Sequence, residues 1–158
     1  MTVTPYTVVS AAEQVRESPK RALVAVTRGL EREALTDPPR AVAATLQDVR
    51  FLTPATRAVY ARLAERGAPA RLYARSLQAW LAPGVTGIAL SDDDPLVDEW
   101  TVVLPSPTHP VVFAATDCGL TGVEDGARTF CWAVSREPEV VRAAARALGL
   151  STGDDLVV

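Results

Sequence analysis

The sequence predicts an α/β domain of the α+β kind, built on one mixed sheet of five or six strands with long helices covering at least one face. Three observations lead there. Segments 19–35 and 53–67 space their apolar residues for helices and carry helix signals at their ends. Short apolar runs bounded by turn residues recur along the chain, as strands do. Helix and strand alternate in the first half, whereas the second half runs strand after strand, so a βαβ unit should join an antiparallel meander.

Residues 1–17 read as an N-terminal tail. Ser18 caps the first helix, Pro19 opens it, and "KRALVAVTRGLEREAL" follows, with Leu23, Val26, Leu30 and Ala34 on one face and Arg28, Glu31 and Arg32 elsewhere. "TDPPR" stops it. The apolar run 40–47 is a buried strand. Thr53 caps and Pro54 opens the second helix, which buries Tyr60 and Leu63 and closes at Gly67. "PARLYAR" is the next strand, parallel to the one at 40–47. "LQAWLAPG" is read as one helical turn and "VTGIAL" as a short strand. Then come "EWTVVL", "PVVFAAT" and "ARTFCWAV", the first two joined by the short "PSPTHP" connection and the last two by a Gly-containing loop at 117–127. Ser135 caps a final helix that Gly149 closes. The domain therefore runs from 18 to 150, with a C-terminal tail at 151–158.

At 158 residues, 48% apolar and 22% charged, the chain suits one globular domain. No apolar run reaches membrane-spanning length and no secretory signal stands at the N-terminus, so the expected place is the cytoplasm, without a membrane partner. Cys118 and Cys131 make no disulfide framework. The net charge of −3 divides unevenly: residues 1–75 carry twelve basic and seven acidic side chains, residues 76–158 four and twelve. Such a bipolar chain suits binding to a partner or to its own copy. The basic residues are spread out and not laced with aromatics, which argues against nucleic acid.

The stretch "SDDDPLVDEW" sets five carboxylates among positions 92–99. It lacks the alternation and turn glycine of an EF-hand, and no phosphate cradle stands nearby for magnesium. Asp94 before Pro95 is instead a cap and first position for a helical turn, with Asp92 and Asp93 at its positive end. The lone His109 lies in a Pro-flanked turn and lacks metal-ligand spacing to the cysteines. Nucleophile-elbow, P-loop and dinucleotide motifs are absent from the sequence. No catalytic residue and no metal ligand is assigned.

The strands behind the acids are more informative. Pairing 99–104 with 111–116 sets Trp100, Val102 and Leu104 on one face with Ala115, Phe113 and Val111. Phe130, Trp132 and Val134 join them from the third strand, with Cys131 and Ala133 opposite. Arg128 and Asp98 then share one end of this surface, beside Glu99. An aromatic surface with polar groups at its mouth is how small-molecule sites are built. The candidate ligand-binding residues are Trp100, Phe113, Arg128, Phe130, Trp132, Asp98 and Glu99. The same aromatics also serve as core, and Arg128 as a cross-strand partner of Asp98 or Glu99.

In order and spacing, "LVAVTRGLERE", "FLTPATRAVYARLAERGAPARLYA", "DPLVDEWTVVL" and "ARTFCWAVSREPEVVRAAARAL" together resemble the DICT domain, a sensory module named for its association with diguanylate cyclases and two-component systems. The resemblance covers roughly residues 19–149. Its distinctive pieces are "DPLVDEW" and the pattern of Arg128, Phe130 and Trp132. It implies a non-catalytic input domain of bacterial signal transduction, with a link to light response and no cofactor known. Such modules sit beside an output domain, and this chain shows none after its last helix. The expectation is a partner signalling protein in trans, or an output domain fused in a longer protein. The rival readings are an interaction adaptor without ligand and a metal-assisted enzyme using the acidic loop.

Overall fold

The computed structural model describes residues 2–118 and 124–150. Its strands are β1 (Arg16–Pro19), β2 (Val42–Asp48), β3 (Ala70–Arg75), β4 (Trp80–Ala82), β5 (Val85–Ala89), β6 (Glu99–Leu104), β7 (Val111–Asp117) and β8 (Thr129–Ser135). They form one mixed sheet in the order β1-β8-β7-β6-β2-β3-β5-β4. The helices are α1 (Pro5–Ala12), α2 (Lys20–Thr36), α3 (Pro54–Glu65) and α4 (Pro138–Ala147).

The fold class holds, but the sheet has eight strands where the sequence predicts five or six. The six expected strands all form. The two additions are the edges. β1 has the sequence "RESP", with no apolar residue to reveal it, and owes its form to antiparallel pairing with β8. β4 is only three residues long, too short to show a period, and replaces the helical turn read at "LQAWLAPG". Pro83 and Gly84 turn it into β5, with Gly84 at φ +76°, where a side chain is disfavoured.

The segment read as a tail is also structured. Thr4 and Thr7 form a reciprocal capping box, Pro5 opens α1, and α1 packs on α4, β7 and β8. The predicted cap at Ser18 does not form. Pro19 takes the cap position without a side-chain bond, and the Ser18 hydroxyl accepts the Trp132 indole N–H at 2.9 Å. Ser135 ends β8 rather than capping α4. Its hydroxyl accepts the Glu137 N–H at 3.2 Å and donates to Glu13 at 2.9 Å. The Thr53 cap of α3 forms as expected, its hydroxyl accepting the Thr56 N–H at 3.2 Å. Gly67 and Gly149 close α3 and α4 at φ +95° and +71°. The C-terminal tail at 151–158 lies outside the described residues.

β2, β3 and β5 run parallel, with α3 as the crossover between β2 and β3, and β6, β7 and β8 form the antiparallel meander beside β2. Helices cover both faces. On one side α2 and α3 bury Leu23, Leu30, Tyr60 and Leu63 against Leu72, Val102 and Phe113. On the other, α1 and α4 bury Val9, Val141 and Ala144 against Ala43, Val103 and Val112. β2 and β7 are covered on both faces, which is why "VAATLQ" and "VVFAAT" carry apolar residues on both faces and not in alternation. The helices at the two ends of the predicted domain, α2 and α4, therefore pack on opposite faces.

Candidate functional site

The meander register is the one the sequence predicts: Trp100 opposes Ala115, Val102 opposes Phe113, and Leu104 opposes Val111. Since side chains alternate across a strand, this places the four aromatics on the α2 face. The Trp100 ring meets Phe113 edge-on at 5.2 Å and Phe130 at 5.5 Å, and Phe113 lies 6.1 Å from Trp132. Phe113 and Phe130 are fully buried, while Trp100 and Trp132 remain half-buried. The cluster is core, as one sequence reading has it, but the core is incompletely filled.

A cavity of about 550 Å³ opens between α2, α3 and the sheet. Trp100, Val102 and Phe130 form its floor, with Leu46 from β2, and Val24 and Thr27 of α2 face Thr56 and Tyr60 of α3. Phe113 and Trp132 do not line it, and Phe113 packs edge-on against Trp100. Lys20, Arg21, Arg28 and Arg50 line the cavity as cations, against Glu31 and Asp125 as anions.

Glu31 is the feature that sequence reasoning missed. It is only 7% exposed, although the helical reading set it off the apolar face. Its spacing held the signal: Thr27, Glu31 and Ala34 repeat at four and three residues, one face of a helix. Burial pushes its carboxyl above the usual range, against the hydrogen bond from Tyr60 and the field of Arg28. Tyr60, fully buried, is held well above its ordinary value by the same desolvation, and the Glu31 charge adds to it.

Gln47 enters the site through a register shift in β2 between Thr45 and Gln47. It takes φ +69°, a conformation that costs a non-glycine residue free energy and re-aims its side chain. Its amide donates to the Asp98 carbonyl at 3.1 Å, and its oxygen accepts from Arg128 at 3.4 Å. Arg128 also binds Asp117 and, at 3.2 Å, Asp125. Asp125 in turn takes Lys20 at 2.6 Å. Partial burial alone would raise the Asp125 carboxyl, but Lys20 and Arg128 outweigh it and hold it below its usual value. Around the Phe51 ring stand Lys20 at 3.8 Å, Arg50 at 4.8 Å and Arg128 at 5.5 Å, three cations on one aromatic at the edge of the cavity.

Of the seven predicted residues, Trp100 and Phe130 line the cavity and Arg128 lies over Phe130 at 5.2 Å. Asp98 meets the site only through its carbonyl oxygen. Glu99 does not belong to it. It points to the other face, buried at 5% exposure, where its carboxylate accepts the Tyr6 N–H at 3.0 Å and supports the N-terminus of α1. Burial pushes its carboxyl upward against the bonds from Thr4 and Tyr6. Arg128 pairs with Asp117 and Asp125, not with the Asp98 or Glu99 carboxylate.

The acidic stretch is used locally. Asp94 accepts the Leu96 N–H at 2.9 Å and caps the 3-10 turn Pro95–Asp98, while Asp93 accepts the Ser91 hydroxyl at 2.7 Å. Among the described residues these carboxylates do not converge as metal ligands. Glu17 does lie with Cys118 and Cys131, whose sulfurs are joined to each other and offer no thiolate. The two cysteines, given no bridge by the sequence reading, face each other as a disulfide with Cα atoms 6.0 Å apart. His109 lies 3.8 Å from Asp37 in the β6–β7 connection. Among the described residues, no helix is long and apolar enough to cross a membrane.

No family model and no curated protein matches the chain. Among solved structures it is similar to TrmBL2, described as an archaeal chromatin protein with a novel mode of DNA binding, at a TM-score of 0.51 and 12% identity. That likeness covers 87% of this chain and 51% of TrmBL2, so the chain spans about half the length of that protein. Nuc, a phospholipase D family member from Salmonella typhimurium, gives a TM-score of 0.47 and 12% identity over 84% of this chain and 88% of its own. At these identities the first likeness shows a shared fold alone, and the second carries no argument.

Proposed function

We propose that the chain is a non-catalytic sensory or regulatory domain of the DICT kind, and that its signal is a small molecule held beneath α2. The cavity carries this reading. Its volume falls within the ~300–1,000 Å³ typical of ligand pockets, its floor is aromatic, and it contains a buried carboxylate that core packing alone does not need. A ligand acts by differential affinity for two states. The movable wall is α2 with the Asp125–Ala127 turn packed on it, and the response passes to a signalling protein, fused or in trans. Its proposed place is the cytoplasm, where the Cys118–Cys131 disulfide would be open to reduction.

The test uses a Trp80→Phe/Trp132→Phe variant, so that tryptophan emission reports on Trp100 alone. Nucleotides, flavins and tetrapyrroles are titrated against it, with thermal melting in parallel. At least one class is expected to shift emission and raise Tm. Silence across all three would remove the reading for those classes.

One observation favours the adaptor reading instead. Trp80 is 69% exposed on β4, at the open edge of the sheet. If that edge assembles, sedimentation will show self-association that Trp80→Ser abolishes and that leaves Trp100 emission unchanged.

A further inference from the structure

We infer that the ligand of this cavity is an anion with a flat aromatic body and a hydrogen-bond donor at its inner end. The inference rests on the cavity being a binding site. Three features specify the ligand from mouth to base. Arg21, Arg28 and Arg50, with Lys20 in its ion pair to Asp125, give the lining a positive balance over its two carboxylates. Guanidinium groups bind carboxylate, sulfonate or phosphate oxygens by charge-assisted bonds. Trp100 and Phe51 present ring surface to whatever enters, over the buried Phe130, which suits a flat aromatic body. Glu31 lines the same space at 7% exposure, beside the Tyr60 hydroxyl. A carboxyl group has acceptor capacity beyond one bond, and an N–H on the ligand would use it. A neutral apolar guest would leave the lining cations unengaged, and a cation would be repelled by them.

The probes are 2-anilinonaphthalene-6-sulfonate and its uncharged counterpart N-phenyl-2-naphthylamine, which share the rings and the anilino N–H and differ in the sulfonate. Each is titrated against the full-length Trp80→Phe/Trp132→Phe chain by dye emission and by energy transfer from Trp100. The sulfonate is expected to bind at least about tenfold more tightly, a gap of the size charge-assisted bonds supply. Arg28→Gln/Arg50→Gln should close most of that gap. Glu31→Leu should weaken both dyes alike. Val24→Trp, at a half-exposed position of α2, should block both, and Thr56→Trp repeats the block from α3 should the first variant fold poorly.

Equal affinity for the two dyes, both still blocked by Val24→Trp, would overturn the anion assignment and leave the binding-site reading standing. Unchanged affinities in Glu31→Leu would overturn the donor assignment. Binding that neither Trp variant blocks, or no binding at all, would overturn the inference, and with a silent metabolite panel the underlying reading as well.

Discussion

Glu31 and Tyr60 form a buried pair that makes stability depend on pH. Because the Glu31 carboxyl is raised in the folded chain, its contribution to stability is fully present below the unfolded value, near 4.5, and is lost as pH rises through the folded value. Above the unfolded value the carboxyl therefore costs stability. Glu31→Gln keeps the size and an acceptor for Tyr60 while removing the charge. It should raise stability at pH 7 by on the order of 1 kcal/mol, and thermal melts should show the gain shrinking as pH falls towards 4.5. Tyr60→Phe removes the donor and leaves the carboxylate less satisfied, which should cost about 1–3 kcal/mol by urea unfolding. The aromatics were legible in the sequence because strand alternation assigns them to one face without further input. Glu31 and Gln47 were not. A glutamate beside Arg28 and Arg32 looks like a solvated face, and a left-handed Gln47 follows from the β2 register shift, which no composition rule marks.

At the scale of elements, the segments with internal signals were readable and those held by their neighbours were not. α2, α3, α4 and the six central strands carry apolar periodicity, caps or closing glycines. β1 and β4 carry none, and α1, though capped by Thr4 and opened by Pro5, leans as well on a carboxylate from β6, ninety-three residues away along the chain. Glu99→Ala should accordingly destabilise by about 1–3 kcal/mol, through the lost acceptor at the start of α1 and the apolar contacts that follow it. Hydrogen exchange would show the loss concentrated in residues 5–12 and in the α4 face they cover. The acids of 92–99 thus divide by position, Asp94 capping a turn and Glu99 a distant helix, and neither use needs a metal. Across β7 and β8, a disulfide closing the loop between Cys118 and Cys131, 13 residues apart, should add about 3 kcal/mol in the chain-entropy picture. Melts with and without reductant measure it.

For the whole molecule, the sheet separates two cores with different roles. The α1–α4 side is filled by small and β-branched side chains, Val9, Ala43, Val103, Val112 and Ala144 among them. The α2–α3 side holds the large rings, and it is there that packing leaves space. Part of the uneven charge noted in the sequence has a location: four basic residues from the first half line that space. Their spread along the chain hid this, since α2 and the segment after β2 meet only through the fold. A ligand-sensing domain of this kind holds its small molecule in the cell. Native mass spectrometry of the chain isolated from its own cells measures that directly. A small-molecule adduct is predicted on the natural sequence, released on denaturation and absent from Val24→Trp; a bare polypeptide mass, or the same adduct on both, would contradict it.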